Sequence, residues 1–111
     1  MPNFNQPLVS IITVVFNNDE YIRDAIESVL SQDYSRIEHI VIDGGSTDGT
    51  IDIIKEYSDK ISIFLSEPDE GIFDALNKGI VRSHGEIIGI LHSDDLFCDK
   101  YVISDVINKM K

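Results

Sequence analysis

Residues 8–16 read Leu-Val-Ser-Ile-Ile-Thr-Val-Val-Phe, a β-branched run that is apolar on both faces. A strand with one wet face would alternate apolar and polar residues. This run instead has the pattern of a parallel strand covered by helices on both sides. Downstream of it, Tyr21, Ile22, Ala25, Ile26, Val29 and Leu30 recur as one helix face, with Asn18 or Asp19 as a natural N-cap. A second apolar run, Ile37 to Ile42, ends in Asp43-Gly44-Gly45, and a second helix follows with Ile51, Ile54 and Tyr57 on one face.

The same alternation continues. Ile61 to Leu65 reads as a third strand, and Pro68 and Gly71 bracket a turn. Ile72, Ala75, Leu76, Gly79 and Ile80 fall on one face of a third helix, with Gly85 as its C-cap glycine. Glu86 to Leu91 is a fourth strand ended by His92-Ser93-Asp94-Asp95, and residues 100–110 suit a last helix with Val102, Val106 and Met110 four apart. The order βαβαβαβα predicts an α/β fold in three layers: a mostly parallel sheet of about four strands with helices on both faces. Right-handed crossovers place all four strand carboxyl ends on one edge, where ligands of such sheets bind. Functional residues are therefore expected just after each strand. They are Phe16-Asn17, the loop Asp43 to Gly49, the loop Glu67 to Gly71, and His92 to Asp95.

Composition narrows the function. The 111 residues allow one domain, with residues 1–7 a loose polar end and 8–111 the folded part. Hydrophobic residues make up 42%, which excludes a disordered tail. Nine Lys and Arg stand against twenty Asp and Glu, a formal charge of -11. That balance argues against nucleic acid and against an anionic membrane surface, both of which need clustered positive charge. The single Cys98 makes no internal disulfide and reads as a small half-buried hydrophobe in a reducing compartment. The amino terminus lacks the basic-then-apolar pattern of a signal peptide, and no apolar run approaches the ~20 residues that span a bilayer. The expected location is the cytoplasm, including the cytoplasmic face of the membrane.

The loop chemistry is acidic. Bringing Asp43, Asp69, Asp94 and Asp95 to one edge creates repulsion that a hard divalent cation relieves, and carboxylates are the ligands Mg²⁺ and Mn²⁺ prefer. A cation held by one or two carboxylates keeps positions open for phosphate oxygens, which suits a nucleotide diphosphate. A carboxylate at Asp43, closing an apolar strand and pointing into the crevice, accepts a hydrogen bond from a base imide N–H. Phe16 offers a stacking surface. Plainer readings stand beside these. Asp94-Asp95 also suits a helix cap or a solvated loop, and Asp43 to Thr50 consists of ordinary turn and capping residues. Phe16 also suits a core. His84 reads as a surface helix end, and His92 suits strand-end packing as well as substrate contact.

Taken together, PLVSIITVVFN, YIRDAIESVLSQDY, IEHIVIDGGSTDGT, SEPDEGIFDALNKGI and GEIIGILHSDDLF resemble, in order, the amino-terminal half of a family 2 glycosyltransferase of GT-A fold. The resemblance runs from Pro7 to Phe97. It implies transfer of a sugar from a nucleotide diphosphate donor, often a UDP-sugar, to a saccharide or lipid-linked acceptor with inversion. It implies that Phe16 and Asn17 border the base and that Asp43 reads the uracil N3–H. Asp94 would approach the ribose, Asp95 would ligate Mn²⁺ or Mg²⁺, and Gly71 to Asn77, with Asp74, would line the donor. The first acid of the metal motif is Ser93 here, which leaves Asp95 as ligand. The chain ends at Lys111, so the acceptor-binding half and its catalytic base are expected beyond it. An exposed apolar face where that half would pack makes self-association an expectation.

Rival readings meet specific obstacles. An aspartate-nucleophile phosphatase and a receiver domain both want acids after the first strand, which here ends in Phe16-Asn17. A dinucleotide-binding domain wants G-x-G-x-x-G after a strand, whereas Gly44-Gly45 to Gly49 has other spacing and follows the second strand. A nucleotide-sugar-binding fragment without turnover is the non-enzymatic alternative.

Overall fold

The computed structural model describes residues 6–97 and 99–110; residues 1–5, Cys98 and Lys111 lie outside the described residues. Four strands and four helices alternate: β1 (Val9–Val15), α1 (Ile22–Leu30), β2 (Ile37–Asp43), α2 (Thr50–Glu56), β3 (Ile63–Ser66), α3 (Ile72–Arg82), β4 (Ile87–Ile90) and α4 (Val102–Met110). The sheet order is β3-β2-β1-β4, and every pairing is parallel. The expected α/β architecture is thus observed.

All seven residues of β1 are buried, Ser10 and Thr13 included, as a strand covered on both faces requires. The strand's two faces build different cores. Val9 and Ile11 pack with Ala25 and Val29 of α1 and with Ile103 and Ile107 of α4. Val15, further along the same face, joins Val41, Ile22 and Ile26 of α1 and Ile54 of α2. The opposite face, Ile12 and Val14 with Ile40 and Ile42, is covered by Ala75 and Leu76 of α3. Each Val, Leu or Ile among these stabilises the fold by roughly 1.5–3 kcal/mol when fully buried. Gly79 lets α3 approach closely, since a Cβ there would lie 2.6 Å from Ile12 Cγ2.

Several local expectations are corrected. Asn18 and Asp19 do not cap α1; its N-cap is Tyr21, without a side-chain cap bond. The Asn18 carbonyl accepts the Tyr21 and Ile22 N–H groups, while the side chains of both residues are engaged elsewhere. In α4 the buried pair is Ile103 and Ile107, whereas Val106 and Met110 are exposed. Gly85 is not the cap of α3, which is Ser83. It is a close-approach glycine instead: its N–H donates to Ser10 Oγ at 2.8 Å, where a Cβ would collide. Residues 6 and 7 are tied down, because Arg36 donates to the Gln6 carbonyl at 2.8 Å and the Tyr34 hydroxyl donates to the Pro7 carbonyl. His84 lies just past α3 and bonds Glu38 through its backbone N–H and its ring. Among the described residues no helix is long and apolar enough to cross a membrane.

Candidate functional site

The winding reverses at β1. From it, β2 and β3 are added on one side and β4 on the other. Loops at the carboxyl ends of such a pair part and leave a crevice. A cleft of about 420 Å³ opens there, within the size range of small-molecule sites. Its walls are Val14 to Asn18 at the end of β1, Asp69, Gly71, Ile72 and Ala75 after β3, and His92, Ser93 and Asp94 after β4.

Hydrogen bonds stitch the loops together. Asn17 adopts a left-handed backbone, φ 47, rare for a residue other than glycine. In that conformation its N–H donates to Ser46 Oγ at 2.8 Å and its Oδ1 accepts the Thr47 N–H at 2.7 Å. The next residue, Asn18, donates its N–H to Thr50 Oγ1 at 2.9 Å and its side-chain amide to Ser93 Oγ at 2.9 Å. Asp19 Oδ2 accepts the Gly49 N–H at 3.1 Å. Asp48 accepts N–H bonds from Asp19 and Thr50, and hydrogen bonding from Thr50 holds its carboxyl below the usual carboxylate range. The loop after β1 is therefore the frame to which the second and fourth loops attach.

The expected site residues divide. Phe16, Asn17, Gly71 and Asp94 line the cleft, and Phe16 is 60% exposed, an aromatic surface without a protein cover. His92 lines it too. Asp43 does not point into the crevice. It is fully buried beneath its own loop, and its carboxylate accepts the Gly45 and Ser46 N–H groups and the Ser46 and Ser66 hydroxyls. The glycine-rich loop turns its donors inward and so consumes the charge that the sequence suggested was free. Asp74 faces its own loop, accepting the Glu70 N–H at 2.9 Å beside Lys78 at 3.5 Å; that N–H bond, then the lysine, lowers its pKa. Neither Asp74 nor the exposed Asn77 is in the cleft wall. Asp95 is exposed next to Asp94, and its N–H closes a turn onto the His92 carbonyl at 2.9 Å. Sequence reasoning missed Asn18 as the link between loops, because an Asn-Asn-Asp run before a helix reads as a cap.

The described residues form no group of three or more His, Cys, Asp or Glu able to hold a metal. A closed protein cage for a cation is therefore not built among them. Asp94 in the cleft wall and exposed Asp95 next to it, which is outside that wall, are hard oxygen donors that instead fit a cation sharing its coordination with substrate phosphates.

An open parallel sheet with a cleft at its reversal point, lined by acids and one bare aromatic ring, defines the class of α/β proteins that take a ligand at the carboxyl edge of the sheet. Residues 10–111 match the model of glycosyl transferase family 2, and the chain belongs to that family. It is 38% identical over 105 residues to an uncharacterized glycosyltransferase of Mycobacterium tuberculosis, covering 94% of this chain and 40% of the relative. A Rickettsia typhi relative, also an uncharacterized glycosyltransferase, is 46% identical over 95 residues, with 86% and 30% covered. Among solved structures, the mannosyltransferase PcManGT from Pyrobaculum calidifontis, in complex with GDP-Man and Mn²⁺, superposes with TM-score 0.85 at 25% identity, covering 92% of this chain and 32% of that one. S. aureus TarS 1–349 in complex with UDP-GlcNAc gives TM-score 0.84 at 25% identity, covering 91% and 30%. The sheet and helices are thus those of GT-A glycosyltransferases. The chain spans two-fifths or less of the length of these relatives.

Proposed function

We propose that the cleft binds a nucleotide diphosphate sugar, in the first instance a UDP-sugar, for metal-assisted transfer to a saccharide or lipid-linked acceptor with inversion. The observation that carries this is the position of the cleft. It lies at the sheet's reversal point, with the exposed ring of Phe16 in one wall and Asp94 in another. A base stacked on Phe16 would gain roughly 1–3 kcal/mol. Asn17 would hold the loop bordering that base. Asp94 would accept from a ribose hydroxyl, Gly71 would let backbone approach the donor, and Asp95 would be the carboxylate that anchors Mn²⁺ or Mg²⁺. When bound, such a cation neutralises charge that develops on the leaving diphosphate. Asp74 would act behind the cleft wall by holding the third loop through the Glu70 N–H, and Asn77 would meet the donor from the exposed side of α3.

Acceptor binding, and the base that activates its hydroxyl, are proposed to come from the part of the relatives' length that this chain does not span. A lipid-linked acceptor would bring the protein to the cytoplasmic face of the membrane. The face of β4 that carries exposed Ile88 and Ile90 is the proposed surface for self-association.

Thermal unfolding with UDP, GDP, CDP and NAD, each with and without Mn²⁺, tests the reading. A ligand at a hundred times its Kd stabilises by about 2.7 kcal/mol, a shift of several degrees for this size. Stabilisation by a nucleoside diphosphate but not by NAD supports the proposal. No shift with any nucleotide contradicts it.

A further inference from the structure

We infer that Asp69, rather than Asp43, supplies the carboxylate that selects the base, and that Gly44 is a glycine so that this carboxylate can lie over it. The inference rests on the proposal that the cleft takes a nucleoside diphosphate.

Asp43 is not presented to the cleft. It is fully buried, and its carboxylate already receives four hydrogen bonds from Gly45, Ser46 and Ser66. A fully buried carboxylate bonded to its own loop in this way organises that loop. Asp69 is different. It lines the cleft from the third loop. Its Oδ1 accepts the Gly71 N–H at 3.1 Å, which aims the side chain, while Oδ2 has no hydrogen-bond or ion-pair partner among the described residues. Gly71 holds φ 113 and ψ -176, a conformation open essentially to glycine alone, so the donor that aims Asp69 is itself fixed by residue type.

The second observation is independent of the cleft. A Cβ on Gly44 would lie 2.8 Å from Asp69 Oδ2 and 3.3 Å from its Cγ. Gly44 has no positive φ, so backbone conformation does not explain it. The space that any side chain at 44 would fill is occupied by the Asp69 carboxylate. A free carboxylate oxygen is thus delivered onto the carboxyl end of β2.

Place along the sheet edge decides what that oxygen meets. Gly44 follows β2, Phe16 follows β1 and Asp94 follows β4, so Asp69 and Asp94 lie on opposite sides of Phe16. A nucleotide whose diphosphate lies toward Asp94 directs its base away from β4, over Phe16 and toward Asp69. A carboxylate there accepts from a ring N–H, which uracil presents at N3 and guanine at N1. It repels cytosine and adenine, whose corresponding ring nitrogen is a lone pair. The selected class is a nucleoside diphosphate whose base carries a ring N–H.

Calorimetric titration of UDP, GDP, CDP and ADP into the native chain and into Asp69→Asn, Gly44→Ala and Asp43→Asn tests this, with melting curves on every variant. The native chain is expected to prefer UDP or GDP over CDP and ADP by at least tenfold. Asp69→Asn, whose amide can also donate to a lone pair, should collapse that ratio to near one while the melting temperature holds. Gly44→Ala should do the same by displacing the Asp69 side chain. Asp43→Asn should lower the melting temperature and keep the ratio in whatever fraction stays folded. An unchanged ratio in both Asp69→Asn and Gly44→Ala, with nucleotide binding intact, overturns the assignment alone. Absence of binding by the native chain to all four nucleotides overturns it together with the proposed function.

Discussion

The side-chain amide of Asn18 donates to Ser93 Oγ at 2.9 Å, joining residues 75 positions apart. Asn18 ends the β1 segment of the cleft wall, and Ser93 begins the acidic turn that carries Asp94 and Asp95. The bond makes the position of those carboxylates depend on the first loop, which is itself tied to the second through Thr50.

Removing either partner should therefore weaken metal-assisted nucleotide binding without touching the ligand directly. A partly buried neutral hydrogen bond is worth about 0.5–1.5 kcal/mol, so Asn18→Ala and Ser93→Ala should each lower UDP affinity in Mn²⁺ by about two- to twelvefold. The double variant should lose little more than either single one, as partners in one interaction do. Additive losses in the titration would show that the two side chains act separately.

Asp43 yields a prediction about stability. Its carboxylate receives four hydrogen bonds in a fully buried setting. Asp43→Ala strands those donors, each at about 1–3 kcal/mol if unmet, and should cost at least about 3 kcal/mol in urea unfolding. A loss under 1 kcal/mol would mean the loop does not depend on this carboxylate.

His39 sets the acid limb of stability. It is buried, bonded to Thr13 Oγ1 at 2.8 Å through Nε2, and its Nδ1 has no partner among the described residues. Burial lowers its pKa to about 4 from the usual 6.5. Between those values the unfolded chain takes up a proton that the folded chain excludes. Stability is then full above pH 6.5 and falls as pH drops toward 4, by about 3 kcal/mol. Carboxyls held low by hydrogen bonds, Asp48 by Thr50, Glu56 by Arg23 and Asp74 by Glu70, add their losses at still lower pH. Urea unfolding across pH 4–7 should show this slope in the native chain and a flatter one in His39→Gln. Equal slopes would remove His39 from the acid response.

These outcomes also mark where sequence was a good guide. The runs at Leu8 and Ile37 were legible as buried parallel strands because strands covered on both faces need no polar alternation. The alternation of elements then placed every cleft loop at one edge. The buried face of α4 was not legible, since Val102-Val106 and Ile103-Ile107 are neighbouring stripes of equal spacing and only the partner surface chooses between them. The direction of Asp43 was hidden for a related reason. Its strand-end position follows from hydrophobic pattern, but its orientation follows from how Gly45 and Ser46 fold their N–H groups beneath the loop. The same logic hid the orientation of Asp69, which was legible at the edge but lies where a Cβ on Gly44, 25 residues away by number, would fall.

The most direct measurement of the central claim is calorimetric titration of UDP and GDP into the native chain, into Asp94→Ala and into Asp95→Ala, each in Mn²⁺ and in EDTA. At least one nucleotide is expected to bind the native chain tenfold or more tighter in Mn²⁺. Asp95→Ala should abolish that difference and leave the weaker, metal-free affinity, and Asp94→Ala should weaken binding in both conditions. Equal affinity in Mn²⁺ and EDTA, or a metal effect that survives Asp95→Ala, would contradict a cleft that receives a nucleotide diphosphate through a cation at its acidic rim.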